Sequence, residues 1–211
     1  MTEALKLIEE NHIEMDITSY NILMDFYCFV DQFNKAKEIF NSLPEKNVQA
    51  NSFTFSILIK GLKHSKEDVV ENGMNLFRKY MRTFVDQEVV VYNSILDLLV
   101  SQKDTDKVDN IFESFTKQDN VKPDIITFNT IIKGSCKKKN LDHAMIYFRK
   151  IKDFNLKPNR ITYNTLLDVS VKIEKMNNAL SLIEEMHKDD ILPDSYTYSI
   201  ILNGLRLNNS S

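Results

Sequence analysis

The residues that most often carry chemistry in proteins are few in this chain of 211 residues. Its two cysteines, Cys28 and Cys136, have the side chain that forms disulfides, holds metals or acts as a nucleophile. Each stands eight residues after an aromatic residue, Tyr20 or Phe128, so the two occupy equivalent positions in distant segments. We expect these segments to hold the cysteines beyond the ~7 Å between Cα atoms that a disulfide requires. We therefore predict reduced, buried and unreactive thiols.

The four histidines do not complete a metal site. Their spacing relative to one another and to the cysteines matches no metal-ligand pattern. These residues are His12, His64, His143 and His187. We therefore predict no metal and no cofactor.

The polar residues that recur with a fixed spacing follow an aromatic residue. They are Asn21, Ser56, Asn93, Asn129 and Asn164. A primary amide both donates and accepts hydrogen bonds, so four of the five could recognise a ligand with adjacent donor and acceptor groups. An asparagine near the start of a helix can also bond the local backbone, which leaves a purely structural role open.

The aromatic residues that precede these positions define a tandem repeat. They are Tyr20, Phe55, Tyr92, Phe128, Tyr163 and Tyr198, and their successive spacings are 35, 37, 36, 35 and 35 residues. Self-similarity at this period predicts a solenoid, in which each repeat packs on its neighbours in one continuous core. Gly and Pro number only 4 each, too few for a turn-rich β fold. No apolar run approaches the ~20 residues that a membrane-spanning helix needs.

Within each repeat, apolar residues three and four apart predict two helices. In the first full repeat these run over about Tyr20–Val30 and Asn34–Leu43. Ser19 is the predicted N-cap of the first, and Thr127 and Thr162 are the predicted caps in later repeats. The fold class is therefore all-α, a solenoid of helix-turn-helix repeats of about 35 residues.

We expect five full repeats with half a repeat on either side. Residues 1–16 match the second helix of a repeat alone, and 195–211 match a first helix and a tail. The full repeats are 17–51, 52–88, 89–124, 125–159 and 160–194. The second has two extra residues, which we place in a loop at 64–68 because loops absorb insertions at small cost.

Superposing the repeats separates the apolar framework from variable positions. Three positions of the second helix have the character of core. They are a small position (Ala36, Gly73, Val108, Ala144, Ala179), a bulky one (Phe40, Phe77, Phe112, Phe148, Ile183) and a third (Leu43, Tyr80, Phe115, Ile151, Met186).

These positions together carry a family resemblance. The segments Ile126–Ile132, Cys136-Lys137, Ala144–Phe148 and Lys157-Pro158-Asn159 are similar to the pentatricopeptide repeat. The resemblance covers about residues 3–207, and the motif recurs five times in full and twice in part. A tetratricopeptide array is the nearest alternative, but its characteristic Trp is missing from a chain with no Trp.

The resemblance implies a right-handed solenoid that binds single-stranded RNA along its first helices, with one base read per repeat. In the family, the reading side chains are the residue after the aromatic and the last residue of the repeat. Carried over, the pairs are Asn21 with Asn51, Ser56 with Glu88, Asn93 with Asp124, Asn129 with Asn159, and Asn164 with Asp194. Asn with Asp implies uridine and Asn with Asn implies a pyrimidine, whereas Ser with Glu has no assignment.

Two further sets of residues follow from the resemblance. The residue two before the aromatic is implied to pack against the faces of bases, which here gives Val90, Ile126 and Ile161. A lysine at the end of the first helix is implied to lie near phosphate, and Lys137 and Lys172 match it. A lysine cluster at this place is also what the helix dipole favours, so a solvated surface remains the alternative.

The charge of the chain is unevenly distributed. It has 27 Lys+Arg and 30 Asp+Glu, a formal net charge of −3. Residues 125–159 hold eight basic and two acidic residues, a balance of +6, whereas residues 1–51 hold four basic and nine acidic residues, a balance of −5. Phosphate binding normally leaves a basic footprint, so the charge favours the later repeats for contact with RNA.

We therefore predict sequence-selective binding of single-stranded RNA that leans towards pyrimidines, in RNA processing, stability or translation. No residues remain for a nuclease domain, so we expect no catalysis, no small-molecule substrate and no membrane. The alternative is a scaffold for protein partners, such as a subunit of a ribonucleoprotein. A mitochondrial location is implied by the resemblance alone, because the first ten residues have no pattern of an import signal.

Overall fold

A computed structural model of the chain describes residues 14–64, 68–84, 88–118 and 121–208. These residues form eleven α-helices and two short 3₁₀ turns, and they include no strand. The all-α solenoid predicted from the repeat is therefore confirmed. The helix predicted over 1–16 lies outside the described residues except for 14–16, which are not helical. The insertion predicted at 64–68 also lies largely outside them.

Two helices fall in each of the five predicted full repeats, and one more follows. In chain order they are α1 (Ile17–Phe29), α2 (Phe33–Ser42), α3 (Ser52–Gly61), α4 (Val69–Thr83), α5 (Val89–Ser101), α6 (Thr105–Thr116), α7 (Ile125–Lys137), α8 (Leu141–Asp153), α9 (Arg160–Lys172), α10 (Met176–Lys188) and α11 (Ser195–Asn208). The 3₁₀ turns are Pro44–Lys46 and Leu62–His64. Odd-numbered helices are the first helices of their repeats, and even-numbered helices are the second.

The N-caps of the first helices lie three residues before the predicted hydroxyl caps. Asp16 is the N-cap of α1, and its carboxylate accepts a hydrogen bond from the backbone N–H of Ser19 at 2.8 Å. Asn51, Asp124 and Asn159 cap α3, α7 and α9 in the same way. The prediction that Ser19, Thr127 and Thr162 are N-caps is therefore wrong. These hydroxyl residues stand at the third helical position, where Thr127 and Thr162 complete a capping box.

The chain divides into two compact units, residues 1–95 and 96–211. In unit 1, α1 packs against α2 and α3, and α3 packs against α4. In unit 2, α7 packs against α8 and α9, and α9 packs against α10 and α11. The first helices α1, α7 and α9 thus each pack against their own partner and against the next first helix. Each keeps an exposed side, which carries Ile22, Ile126 and Ile161, and this side is the open face of its unit.

The core consists of the framework positions. The first five aromatics of the repeat, from Tyr20 to Tyr163, are buried, with at most 8% of their surface exposed. The small position is also buried, and Ala36, Ala144 and Ala179 have no exposed surface. Close approach of two helices at an alanine brings the large neighbours into contact, as where Phe148 meets Tyr163 with ring centroids 5.4 Å apart. The sixth aromatic, Tyr198, is 55% exposed.

Several helices end in a left-handed turn that no glycine provides. Asp31, Lys103, Lys139 and Glu174 follow first helices with φ between 57° and 61°. At each turn, two backbone N–H groups donate to carbonyls in the last turn of the helix, as Glu174 does to Val171 and Lys175 does to Ser170.

In the part of the chain that the structure describes, no helix combines the length and the hydropathy that crossing a membrane requires.

Replacing one of these residues by glycine should stabilise the fold. A left-handed conformation costs a non-glycine residue about 1–2 kcal/mol, and glycine adopts it freely. Glycine also gives the unfolded chain more entropy, which offsets part of this gain. We therefore expect Glu174→Gly to raise the free energy of unfolding by about 0.5–1 kcal/mol. Urea unfolding followed by circular dichroism measures this change. Asn155→Gly is the matched control and should gain less, because asparagine tolerates φ near 55°. A lower midpoint for Glu174→Gly would contradict the assignment of strain.

Candidate nucleic-acid interface

The open face of unit 2 contains a groove of about 490 Å³. It is lined by side chains from three successive first helices, α7, α9 and α11. The groove brings together the predicted reading residue Asn164, the predicted base-packing residue Ile161 and the two predicted phosphate contacts Lys137 and Lys172. Sequence reasoning had assigned these four residues to three separate roles.

The groove is predominantly basic. Lys133, Lys137, Lys139 and Lys172 line it, and Asp168 is its single acidic lining residue. Lys172 Nζ donates to Asp168 Oδ2 at 2.7 Å, and this hydrogen bond raises the pKa of Lys172. Lys137 forms no ion pair within the described residues and is exposed at the end of α7. Its charge is therefore the less compensated of the two predicted phosphate contacts.

An exposed apolar side chain recurs at the first turn of the first helices. Ile126 is 59% exposed and Ile161 is 65% exposed, whereas Val90 is only half-exposed. Two residues that the prediction did not include, Phe53 and Tyr196, stand at the same position and are 59% and 60% exposed. Tyr196 also lines the groove of unit 2. Its place two residues before Tyr198 would have identified it in the sequence.

The predicted reading amides of unit 2 accept hydrogen bonds from the repeat that follows. Thr162 Oγ1 donates to Asn129 Oδ1 at 2.6 Å, and Asn129 Nδ2 donates to Asn159 Oδ1 at 3.3 Å. Thr197 Oγ1 likewise donates to Asn164 Oδ1 at 2.8 Å. The predicted pair Asn129 with Asn159 is thus in direct contact.

Asp194 shows what the second member of a pair does. Its carboxylate accepts from the backbone N–H of Thr197 at 2.9 Å, at the start of α11. This bond, the side-chain bond from Thr197 and a smaller contribution from Asn164 hold the pKa of Asp194 below its ordinary value. In four of the five pairs, the second residue therefore also caps the next first helix: Asn51, Asp124, Asn159 and Asp194.

Unit 1 repeats this arrangement once. Thr54 Oγ1 donates to Asn21 Oδ1 at 2.7 Å, and Asn21 Nδ2 donates to Asn51 Oδ1 at 3.2 Å. Asn51 caps α3 through the backbone N–H of Thr54 at 3.0 Å. The geometry matches that of Asn129, Asn159 and Thr162.

The pair Ser56 with Glu88 is not brought into contact. Ser56 is 3% exposed, and its hydroxyl lies 2.7 Å from the hydroxyl of Ser94. Glu88 is exposed, and its backbone N–H donates to the hydroxyl of Tyr80 at 2.7 Å.

The remaining pair, Asn93 with Asp124, has one residue in each unit. Asn93 lies half-buried on α5 in unit 1, and Asp124 caps α7 in unit 2.

A serine, a histidine and an aspartate that the sequence did not single out lie in a row on unit 2. Ser135 Oγ is 2.6 Å from His143 Nδ1, and His143 Nε2 is 3.1 Å from Asp109 Oδ1, which also accepts from the hydroxyl of Tyr147. Ser135 is 2% exposed, and the adjoining cavity measures about 10 Å³. The row therefore has no room for a substrate and instead ties α6, α7 and α8 together.

Within the described residues, no group of three or more His, Cys, Asp and Glu side chains is arranged to hold a metal ion.

Comparisons with known proteins relate the chain to one repeat family. A model of the PPR repeat family matches residues 15–64, 87–137, 123–172 and 161–206. A mitochondrial pentatricopeptide repeat-containing protein of Arabidopsis thaliana is 26% identical over 141 residues, which are 64% of this chain and 24% of that protein. The ribosomal subunit protein mL103 (rPPR7) of A. thaliana is 26% identical over 135 residues, 64% of this chain and 32% of that protein.

Solved structures give the same fold. The pentatricopeptide repeat protein PPR10, solved in complex with an 18-nt psaJ RNA element, superposes with a TM-score of 0.73 at 18% identity. The match covers 94% of this chain and 29% of that one. The chain therefore spans about a quarter to a third of the length of these relatives.

The cysteines are free, as predicted, but only Cys28 is buried, and Cys136 lines the groove in a partly exposed position. Burial, followed by the charge of Asp168, raises the pKa of Cys136 to about 12. At pH 8, roughly one thiol in ten thousand would then be ionised, and the thiolate is the reactive form. We expect iodoacetamide to modify Cys136 far more slowly than free cysteine between pH 7 and pH 9. Peptide-resolved mass spectrometry measures the rate, and a rate equal to that of free cysteine would contradict the expectation.

Proposed function

The chain belongs to the pentatricopeptide repeat family, and on that premise we propose that it binds single-stranded RNA in a sequence-selective manner along its first helices. The groove of unit 2 carries the proposal. There, a fixed amide, exposed apolar and aromatic side chains and several lysines line the same space. Single-stranded nucleic acids are recognised by this combination of an edge reader, a packing surface and a basic track.

Each element of the groove has a role in the proposal. Ile161 and Tyr196 stand at the same position of consecutive first helices, so a base entering between them packs against both. Asn164 meets the edge of that base with the hydrogen-bonding groups that Thr197 leaves unused. Lys137 lies where the resemblance places phosphate. The base is thus recognised by its edge, and the backbone by its charge.

By the resemblance, Asn164 with Asp194 and Asn93 with Asp124 favour uridine, and the two Asn–Asn pairs favour pyrimidines. The pairing of Asn93 with Asp124 stays a prediction. The second full repeat is left without an assigned base, because Ser56 is buried against Ser94. We propose a target that runs pyrimidine, unassigned, uridine, pyrimidine, uridine from its 5′ to its 3′ end, read from repeat 17–51 to repeat 160–194.

We further propose that this binding serves RNA processing, stability or translation in mitochondria. The solved relative PPR10 in complex with an RNA element supports RNA as the ligand. The relative named as mitochondrial supports the compartment. Catalysis is no part of the proposal.

A scaffold for protein partners is the second candidate. One observation that favours it is the similarity to the ribosomal subunit protein mL103. Another is the surface of α1, where Phe29 is 85% exposed at the position that Lys172 occupies in α9, and Ile22 is 65% exposed. A binding assay with pyrimidine-rich and purine-rich single strands separates the two candidates, because a protein scaffold does not discriminate between these strands.

The proposal predicts that one substitution changes the preference at one base. By the resemblance, Thr with Asp favours guanine, so Asn164→Thr should shift the preference at the last base from uridine to guanine. The expected change is about 1–3 kcal/mol, the usual effect of one base in a specific site. Affinities for two RNAs that differ at that base alone measure it.

Asn129→Thr is the matched control, because it makes the same change one repeat earlier. It should alter the preference at the fourth base and leave the fifth unchanged. Equal weakening of both RNAs by Asn164→Thr would contradict base reading at this position.

A lysine of the groove should instead act on all sequences alike. We expect Lys137→Gln to weaken every single strand and to lower the slope of log K against log salt by up to about one unit, if one phosphate contact is lost. Titrations at several salt concentrations measure the slope. Lys150→Gln removes the same charge from α8, where the ammonium lies 5.1 Å from the ring centroid of Tyr147 and does not line the groove. If the two variants change the slope equally, Lys137 does not contact phosphate.

A further inference from the structure

We propose that the threonine at the third position of each following first helix orients the reading amide of the preceding repeat and thereby sets its choice of base. These positioning residues are Thr54, Thr162 and Thr197 for Asn21, Asn129 and Asn164. The proposal rests on the proposed function for its effect on RNA, but the orientation itself is a property of the free protein.

The hydroxyl of Thr162 has one well-placed acceptor for the hydrogen bond that it donates. Thr162 has no exposed surface, and its Oγ1 already accepts from the backbone N–H of Asn159 at 3.1 Å. A hydroxyl donates one hydrogen bond, and the nearest acceptor is Asn129 Oδ1 at 2.6 Å. The other oxygen in reach, Asn159 Oδ1, is 3.1 Å away and already accepts from the backbone N–H of Thr162.

The last residue of the repeat that contains Asn129 supplies the acceptor for the other half of the amide. Asn129 Nδ2 donates to Asn159 Oδ1 at 3.3 Å. Rotating the amide of Asn129 by half a turn would bring two carbonyl oxygens together and would remove the acceptor of the Thr162 hydroxyl. Thr54 and Asn51 impose the same two conditions on Asn21. The orientation of the amide is therefore fixed jointly by the last residue of its own repeat and by the threonine of the next repeat.

A fixed amide presents its remaining N–H and its remaining lone pair in one order. A base edge with donor and acceptor in that order is matched, and an edge with the opposite order meets two like groups. An amide that is free to rotate would satisfy either edge. Loss of the threonine hydroxyl should therefore reduce discrimination more than it reduces affinity.

The second full repeat gives independent support. Its residue at the reading position is Ser56, and the residue that corresponds to the threonine in the next first helix is Val91, which is fully buried. Ser56 pairs instead with the hydroxyl of Ser94, which itself donates to the carbonyl of Val90 at 2.7 Å. The threonine is thus replaced where there is no amide to orient.

The experiment compares Thr197→Val with Thr197→Ser in the whole chain. Valine keeps the shape of threonine without its hydroxyl, and serine keeps the hydroxyl. In the free protein, ¹⁵N relaxation of the side-chain amide of Asn164 should report a rigid group in the wild type and in Thr197→Ser, and a mobile one in Thr197→Val. Asn164→Asp identifies the resonance. An amide that stays equally rigid in Thr197→Val overturns the proposal without any reference to RNA.

The second measurement is the affinity ratio for two RNAs with uridine or cytidine at the last base. We expect a ratio of roughly fivefold or more in the wild type, which corresponds to at least about 1 kcal/mol for one base. Thr197→Ser should preserve it, and Thr197→Val should bring it below about twofold while the weaker RNA binds no worse than before. Thr116→Val is the control for loss of a hydroxyl, because within the described residues Thr116 Oγ1 bonds only the carbonyl of Glu113 in its own helix.

The outcomes separate a positioning role from a structural one. If Thr197→Val lowers the melting temperature and weakens both RNAs alike, the threonine only stabilises the helix start, and the proposal is overturned. A wild-type chain that binds neither RNA contradicts the proposed function and removes any role of Thr197 in base choice. The relaxation result still decides whether Thr197 orients Asn164.

Discussion

The hydrogen bonds at the start of the first helices α3, α7, α9 and α11 both cap the helix and position side chains next to it. An aspartate or asparagine accepts the backbone N–H three residues on, as Asn159 does from Thr162, and the threonine hydroxyl accepts the N–H of the cap in return. Such a box satisfies two backbone donors that would otherwise lack partners. Here it also fixes where the hydroxyl proton of the threonine points. Helix stability and the preparation of the groove therefore depend on the same few atoms.

The two helices of each repeat have different roles in the structure. The second helices hold a small residue and bulky neighbours in the core, and α6 and α8 are joined by the contact between Asp109 and His143. The first helices also bury their aromatic residue but keep one face open, where Ile161 and Lys137 are exposed. The capping boxes also give polar groups of the first helices, such as the amide of Asn129, fixed hydrogen-bond partners within the protein.

The periodic features of this protein could be predicted from the sequence, and the local ones could not. The aromatic spacing identified the repeat because burial of one large side chain per repeat leaves a strong period. The N-caps were predicted three residues too late. Asparagine and aspartate are as favourable at an N-cap as serine and threonine, and both kinds of residue stand near each helix start. The burial of Ser56 depends on Ser94, which is 38 residues away and has no signature in its own repeat. Pairings of this kind require the fold to be known first.

Because Thr162 and Asn159 hold the amide of Asn129, the smallest unit that keeps this amide in place is not a repeat as the sequence delimits it. It extends from one first helix to the opening turn of the next. A chimaera cut at the boundary between residues 159 and 160 would carry Asn129 and Asn159 but would leave Thr162 behind. Recombination points inside a first helix, after its opening turn, would keep each amide together with the threonine and the cap that it bonds.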